Sequence, residues 1–157
     1  MRRAASFAFA GLLVALATAA WPVAALAQPV PKPTVERAWA RATPPGVNVG
    51  AAYLTIRNAG PRADQVIALR SPVSERAEIH ETRISGDIMQ MRQITEATVP
   101  AGGLLALEPG GTHVMLIGLR SPLLPGATVP LVLTFRHAGE VQVKALVQAP
   151  GSDPPSQ

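Results

Sequence analysis

A chain of 157 residues, 48% hydrophobic and 15% charged, suffices for one ordinary domain and is too short for two large ones. It has no cysteine, which excludes a disulfide framework, a zinc ribbon, an iron–sulfur site, a thiol catalyst and a lipid-attached cysteine at a processed N-terminus. Fourteen basic against ten acidic residues give +4; beyond Arg2-Arg3 the charges are scattered singly and aromatics are few, unlike the clustered basic face of a nucleic-acid-binding protein.

The chain opens on Arg2-Arg3, an alanine-rich apolar run from Ala4 to Ala20, Pro22, and then Ala25-Leu26-Ala27. A positive start, an apolar stretch and a small-x-small site are the order of a secretory signal peptide. We expect residues 1–27 to be that signal, cut after Ala27, which lowers the net charge to +2. A retained anchor fits less well, because alanine is weakly apolar and Pro22 falls where a signal's apolar run ends. The paired arginines raise twin-arginine export, which Ala4-Ala5-Ser6 supports poorly. No second apolar run of spanning length follows, so the expectation is a soluble exported protein without membrane insertion, periplasmic in a Gram-negative source.

Residues 28–34 read as a proline-rich flexible lead-in, 35–147 as one folded domain, and 148–157 as a disordered tail. Within the domain, apolar or alternating runs predict strands near Val35–Ala42, Val49–Asn58, Gln65–Arg70, Ala77–Ile84, Ile88–Thr95, Leu104–Leu107, His113–Leu119, Thr128–His137 and Val141–Val147. Turn clusters such as Pro44-Pro45-Gly46, Ser85-Gly86-Asp87, Pro109-Gly110-Gly111 and Ala138-Gly139 separate them. No stretch holds a capped helical period and no repeat is visible, so the predicted class is an all-β sandwich.

Five of the six methionines and histidines after residue 27 fall between His80 and Met115. His80 and Met91 lie on the two arms of the hairpin predicted at Ser85-Gly86-Asp87. His113 and Met115, as residues i and i+2 of a strand, share a face about 6.6 Å apart. One end of the sandwich can therefore gather two imidazoles and two thioethers. Thioethers are soft, neutral donors, and with imidazole they suit Cu(I) better than zinc, magnesium or calcium. No catalytic acid or base accompanies the four, and four filled positions leave no room for substrate, so an enzyme is not expected. A blue-copper electron carrier needs a cysteine thiolate, which is absent. Read singly, each residue has a plainer role: Met115 and Met91 as packing, His80 as a surface residue, His113 as a turn residue. Only their joint spacing argues for a metal.

The spacing His80-x10-Met91-x21-His113-x-Met115 resembles the motif of the PCu(A)C family of periplasmic copper chaperones, as do the phrases Ala77-Glu78-Ile79-His80-Glu81 and Glu108-Pro109-Gly110-Gly111-Thr112-His113-Val114-Met115-Leu116. The likeness spans roughly Val35 to Val147. It implies a cupredoxin-like Greek-key β-sandwich that binds Cu(I) through His80, Met91, His113 and Met115. It also implies a copper-accepting partner such as a cytochrome c oxidase subunit or its assembly factor. Many members carry Met two positions after the first histidine, where this chain has Thr82; Met89 is a candidate substitute.

Glu78, Glu81 and Asp87 are candidates to orient an imidazole, with solvated charge the favoured reading; His137 reads as a hairpin-end residue, and Trp39, Tyr53 and Phe135 as core. The rival function is a non-metal β-sandwich serving adhesion or assembly, with the Met/His cluster as packing.

Overall fold

The computed structural model describes residues 30–86 and 88–152. The expected signal peptide, Asp87 and the last five residues of the expected tail lie outside the described residues. Ten strands follow one another: β1 (Thr34–Arg41), β2 (Val49–Arg57), β3 (Asp64–Arg70), β4 (Ser74–Ser85), β5 (Ile88–Ile94), β6 (Ala97–Val99), β7 (Leu104–Leu107), β8 (Thr112–Leu119), β9 (Thr128–Phe135) and β10 (Gly139–Gln148). Among the described residues no helix is long and apolar enough to cross a membrane.

Nine of these strands match the predicted runs closely, because alternation and Pro/Gly turns mark them. The sequence reading has no counterpart for β6, whose three residues are too few to show a period; it is held by pairing to Asp64–Val66 of β3. The strands lie in the order β5-β4-β8-β2-β1-β10-β9-β3-β6, with β7 continuing alongside β2 after β8 and β1 running parallel to β10. A β3–β4 contact at Leu69 and Ala77 brings the path back on itself. The result is a cupredoxin-like β-sandwich with a closed interior.

That interior is aliphatic apart from Phe135. Leu54, Ile56, Val66, Leu107, Val114, Leu116, Leu131, Leu133 and Phe135 are almost fully buried within one cluster. Each side chain of this kind contributes roughly 1.5–3 kcal/mol by leaving water. Phe135 sits there as expected. Trp39 and Tyr53 do not: both are buried, yet they stand outside the core cluster.

Tyr53 faces outward by the plain alternation of β2, between the buried Ala52 and Leu54; for Trp39 the cause is a bulge in β1. Glu36 pairs with Thr55 and Trp39 with Tyr53, so one extra residue is inserted between them. Arg37 takes φ 49°, and its guanidinium donates to Thr55 Oγ1 at 3.3 Å. An inserted residue reverses which side chains face inward. Ala40 therefore points into the core beside Ala52, and Trp39 turns to the outer face over Tyr53, with ring centroids 4.4 Å apart.

Candidate metal centre

The four predicted ligands lie on β4, β5 and β8, three consecutive strands of the sheet. In the antiparallel β4–β8 pair His80 stands opposite His113 and Glu78 opposite Met115. In the β4–β5 hairpin Thr82 stands opposite Met91 and Ile84 opposite Met89. Directly opposed residues share a face, as do residues two apart, so His80, Met91, His113 and Met115 all project from the same side. The intervening Ile79 and Val114 point the other way and are buried in the core. The donors thus occupy the outer flank of the sandwich, where the sequence reading expected its end. The strand faces explain the difference: their alternation assigns the inward side to aliphatics and leaves the outward side to the donors.

Met91, His113 and Met115 line one open cavity of about 390 Å³, together with Met89, Thr82 and Gly110. His80 is not on that lining; it is next to His113, with ring centroids 6.4 Å apart and planes at 41°. A metal sits about 2.0 Å from an imidazole nitrogen that holds it, so two rings at this separation can reach one ion between them with small rotations. Exposure grades outward across the site. His113 is buried, His80 and Met115 are half-buried, and Met91 is 53% exposed.

Hydrogen bonds set which nitrogen of each ring is free. The Gly111 carbonyl accepts from His113 Nδ1 at 3.1 Å and from the Thr82 backbone N–H at 3.2 Å. A carbonyl only accepts, so His113 carries its proton on Nδ1 and presents the lone pair of Nε2. The carbonyl is aimed by the Glu108–Gly111 turn, closed by Gly111 N–H to the Glu108 carbonyl at 3.2 Å. Gly110 adopts φ +79° in it, a conformation that a side chain would strain. This is the local role of the Pro109-Gly110-Gly111 phrase. His80 Nε2 donates to Glu78 Oε2 at 2.9 Å, leaving Nδ1 as its free nitrogen.

Glu78 corrects the sequence reading. It is not solvated charge: its side chain is 15% exposed, bound to His80 and ion-paired with Arg76 at 3.3 Å. Its signal was position, since a residue two before His80 and opposite Met115 must share their face. Glu81 points to the other face. There Arg83 and Arg92 surround it, the first through a hydrogen bond, and its carboxyl lies below the ordinary range. It remains an exposed charge cluster, as expected. His137 is exposed at the β9–β10 turn, away from the donors.

A row of rings backs the site: Trp39 on β1, Tyr53 on β2, His113 on β8 and His80 on β4, with successive centroids 4.4, 6.4 and 6.4 Å apart. Among the described residues no three His, Asp or Glu side chains gather where they could hold a metal. The donors that do gather are nitrogen and thioether sulfur, a set chemically fitted to a soft monovalent ion and poorly fitted to hard divalent ones.

A family model described as LpqE-like, a lipoprotein family, matches residues 33–147. Lxx21020 from Leifsonia xyli subsp. xyli, named as a lipoprotein, is 32% identical over 102 residues, covering 64% of this chain; the chain spans 60% of that relative's length. Among solved structures, the copper-bound PCuAC domain from PmoF2 superposes with a TM-score of 0.66 at 26% identity, covering 77% of this chain and 96% of that domain. The Cu(I) form of DR1885 from Deinococcus radiodurans gives a TM-score of 0.59 at 31% identity, covering 80% of this chain and 83% of that one.

Proposed function

The chain belongs to the LpqE-like family, of PCuAC type, and from that premise we propose that it is an exported, non-enzymatic copper chaperone that carries Cu(I) and surrenders it by ligand exchange. The observation that carries this reading is the convergence of Met91, His113 and Met115 on one outward cavity, with His80 paired to His113. His113 Nε2, His80 Nδ1 and the two thioether sulfurs are the donors. None needs to lose a proton below neutral pH except the imidazoles, so binding weakens only as the histidines become protonated. Glu78 supplies a negative charge next to an ion whose four ligands are neutral.

Release is an exchange of neighbours. Met91, the most exposed donor, holds the ion at the surface where a thiolate or thioether of the recipient reaches it, and the inner donors, the buried His113 among them, let go behind it. The copper stays monovalent throughout. The recipient under this reading is a copper-accepting protein such as a cytochrome c oxidase subunit or its assembly factor. Delivery follows export by a signal peptide over residues 1–27, and the carrier segment is 35–147. Without cysteine, the chain has no residue for the thioether-linked lipid that relatives named as lipoproteins suggest.

Titrating the reduced protein with Cu(I) against a competing chelator tests this. One equivalent is expected to be withheld by the native chain and none by the double variant Met91→Ala/Met115→Ala, with circular dichroism unchanged. Copper binding left unchanged in that variant would remove this donor set, whereas a folded native chain that binds no copper would favour the adhesion-module reading.

A further inference from the structure

Met89 is 64% exposed, on a strand where every residue but the last is solvent-facing. Its cross-strand partner is Ile84, which is 70% exposed. A cross-strand apolar pair this exposed contributes little to folding, and Met89 lines the same cavity as Met91, His113 and Met115. The strand register arranges the donors in rows along the hairpin. Met115 and Glu78 form the innermost, His113 and His80 the next, Met91 and Thr82 the third, and Met89 and Ile84 the outermost.

Neighbouring rows are about 6.6 Å apart. A metal–sulfur bond of about 2.3 Å on each side, with the three rotatable bonds of methionine, lets Met89 and Met91 grip one ion together. At Thr82 the only side-chain donor is a hydroxyl, a hard oxygen with little affinity for Cu(I). Soft donors therefore continue outward along β5 alone.

We propose that Met89 is an outer subsite through which Cu(I) enters and leaves the four-donor centre. The inference rests on the copper reading above and assigns to that site its port. On departure a Cu–S bond to Met89 forms as a bond to one of the inner donors breaks. The released donor keeps its lone pair, and the ion keeps its single charge. As the other inner bonds break in turn while Met91 keeps its own, the ion is held by the two methionines of β5, where an incoming donor reaches it without contacting the buried His113. On loading the same steps run backward.

A port lowers the barrier in both directions and leaves the end states alone. Rates and affinity therefore separate the port from a resting ligand. The test uses the exported chain with one equivalent of Cu(I), mixed in a stopped-flow instrument with excess bathocuproine disulfonate. Loading is followed in a second series from a weak Cu(I) complex.

Met89→Leu is expected to slow both loading and unloading by roughly three- to tenfold, with equilibrium affinity held within about twofold. Met91→Leu, by contrast, is expected to lower the affinity itself. Unchanged rates in Met89→Leu at native affinity would overturn the port while leaving the centre standing. An affinity loss equal to that of Met91→Leu would overturn it too, making Met89 a resting ligand. A native chain unable to hold Cu(I) against a weak chelator would overturn the centre and the port together.

Discussion

Glu78 and Gly111 do similar work at the two histidines. Each engages the nitrogen that is not left free, so each ring reaches its metal-ready tautomer before any ion arrives. Such outer partners typically change metal affinity by 10- to 100-fold when removed. Glu78→Gln keeps an acceptor for His80 and removes the charge. We expect it to lower Cu(I) affinity by about tenfold, at the small end of that range, with no change in the circular dichroism spectrum; chelator competition measures it. A fall no larger than twofold would mean that the carboxylate's charge contributes nothing at this distance. The shared outward face of His80, Met91, His113 and Met115 was legible from their spacing, because a hairpin and an i, i+2 pair fix it. Glu78 was less so, since a glutamate in a strand is most often solvated and only the opposite strand shows what it faces. His80's place off the cavity lining was not legible at all, because a register of cross-strand pairs fixes it.

At the level of strands, local patterns announced almost every element, and what they missed were departures from regularity. The bulge at Arg37 is one. Alternation read straight through β1 sends Trp39 inward, and a left-handed arginine has no sequence signature to warn otherwise. A second is the seam between β3 and the β9–β10 turn, where Asp64 holds three backbone donors. Oδ1 accepts from Gln65 N–H at 2.8 Å and His137 N–H at 3.0 Å, and Oδ2 accepts from Ala138 N–H at 2.9 Å.

Burial alone would raise this carboxyl's pKa, but the three donors and His137 outweigh it, and the group lies below its ordinary value. A folded-state pKa below the unfolded one means that the ionised carboxylate adds stability above about pH 4 and loses it as pH falls through the folded value. Asp64→Asn keeps one acceptor but turns an amide toward Ala138 N–H. Leaving that donor unpaired costs about 1–3 kcal/mol near neutral pH. In urea titrations the variant is expected to be less stable at pH 7 and to show a smaller drop in stability between pH 5 and pH 3 than the native chain. Parallel acid profiles would show that Asp64 is not the group responsible.

For the molecule as a whole, the decisive relation is between the two faces of β4 and β8. Ile79, Val114 and Leu116 bury their side chains on one face while the donors project from the other. The aliphatic interior closes without help from a metal, unlike small domains in which ligation supplies the folding energy. Removing copper with a chelator is therefore expected to leave the far-ultraviolet circular dichroism spectrum and cooperative thermal unfolding intact, with only the mass-action part of any added thermal stability lost. Collapse of the metal-free protein into a non-cooperative transition would contradict this arrangement.

The paired faces of β4 and β8 also decide the order of events in the life of one molecule. The chain can complete its architecture first and meet its ion afterwards, and it can part with that ion and keep its shape. Folding is done once, while loading can be repeated, so a single copy can make many trips.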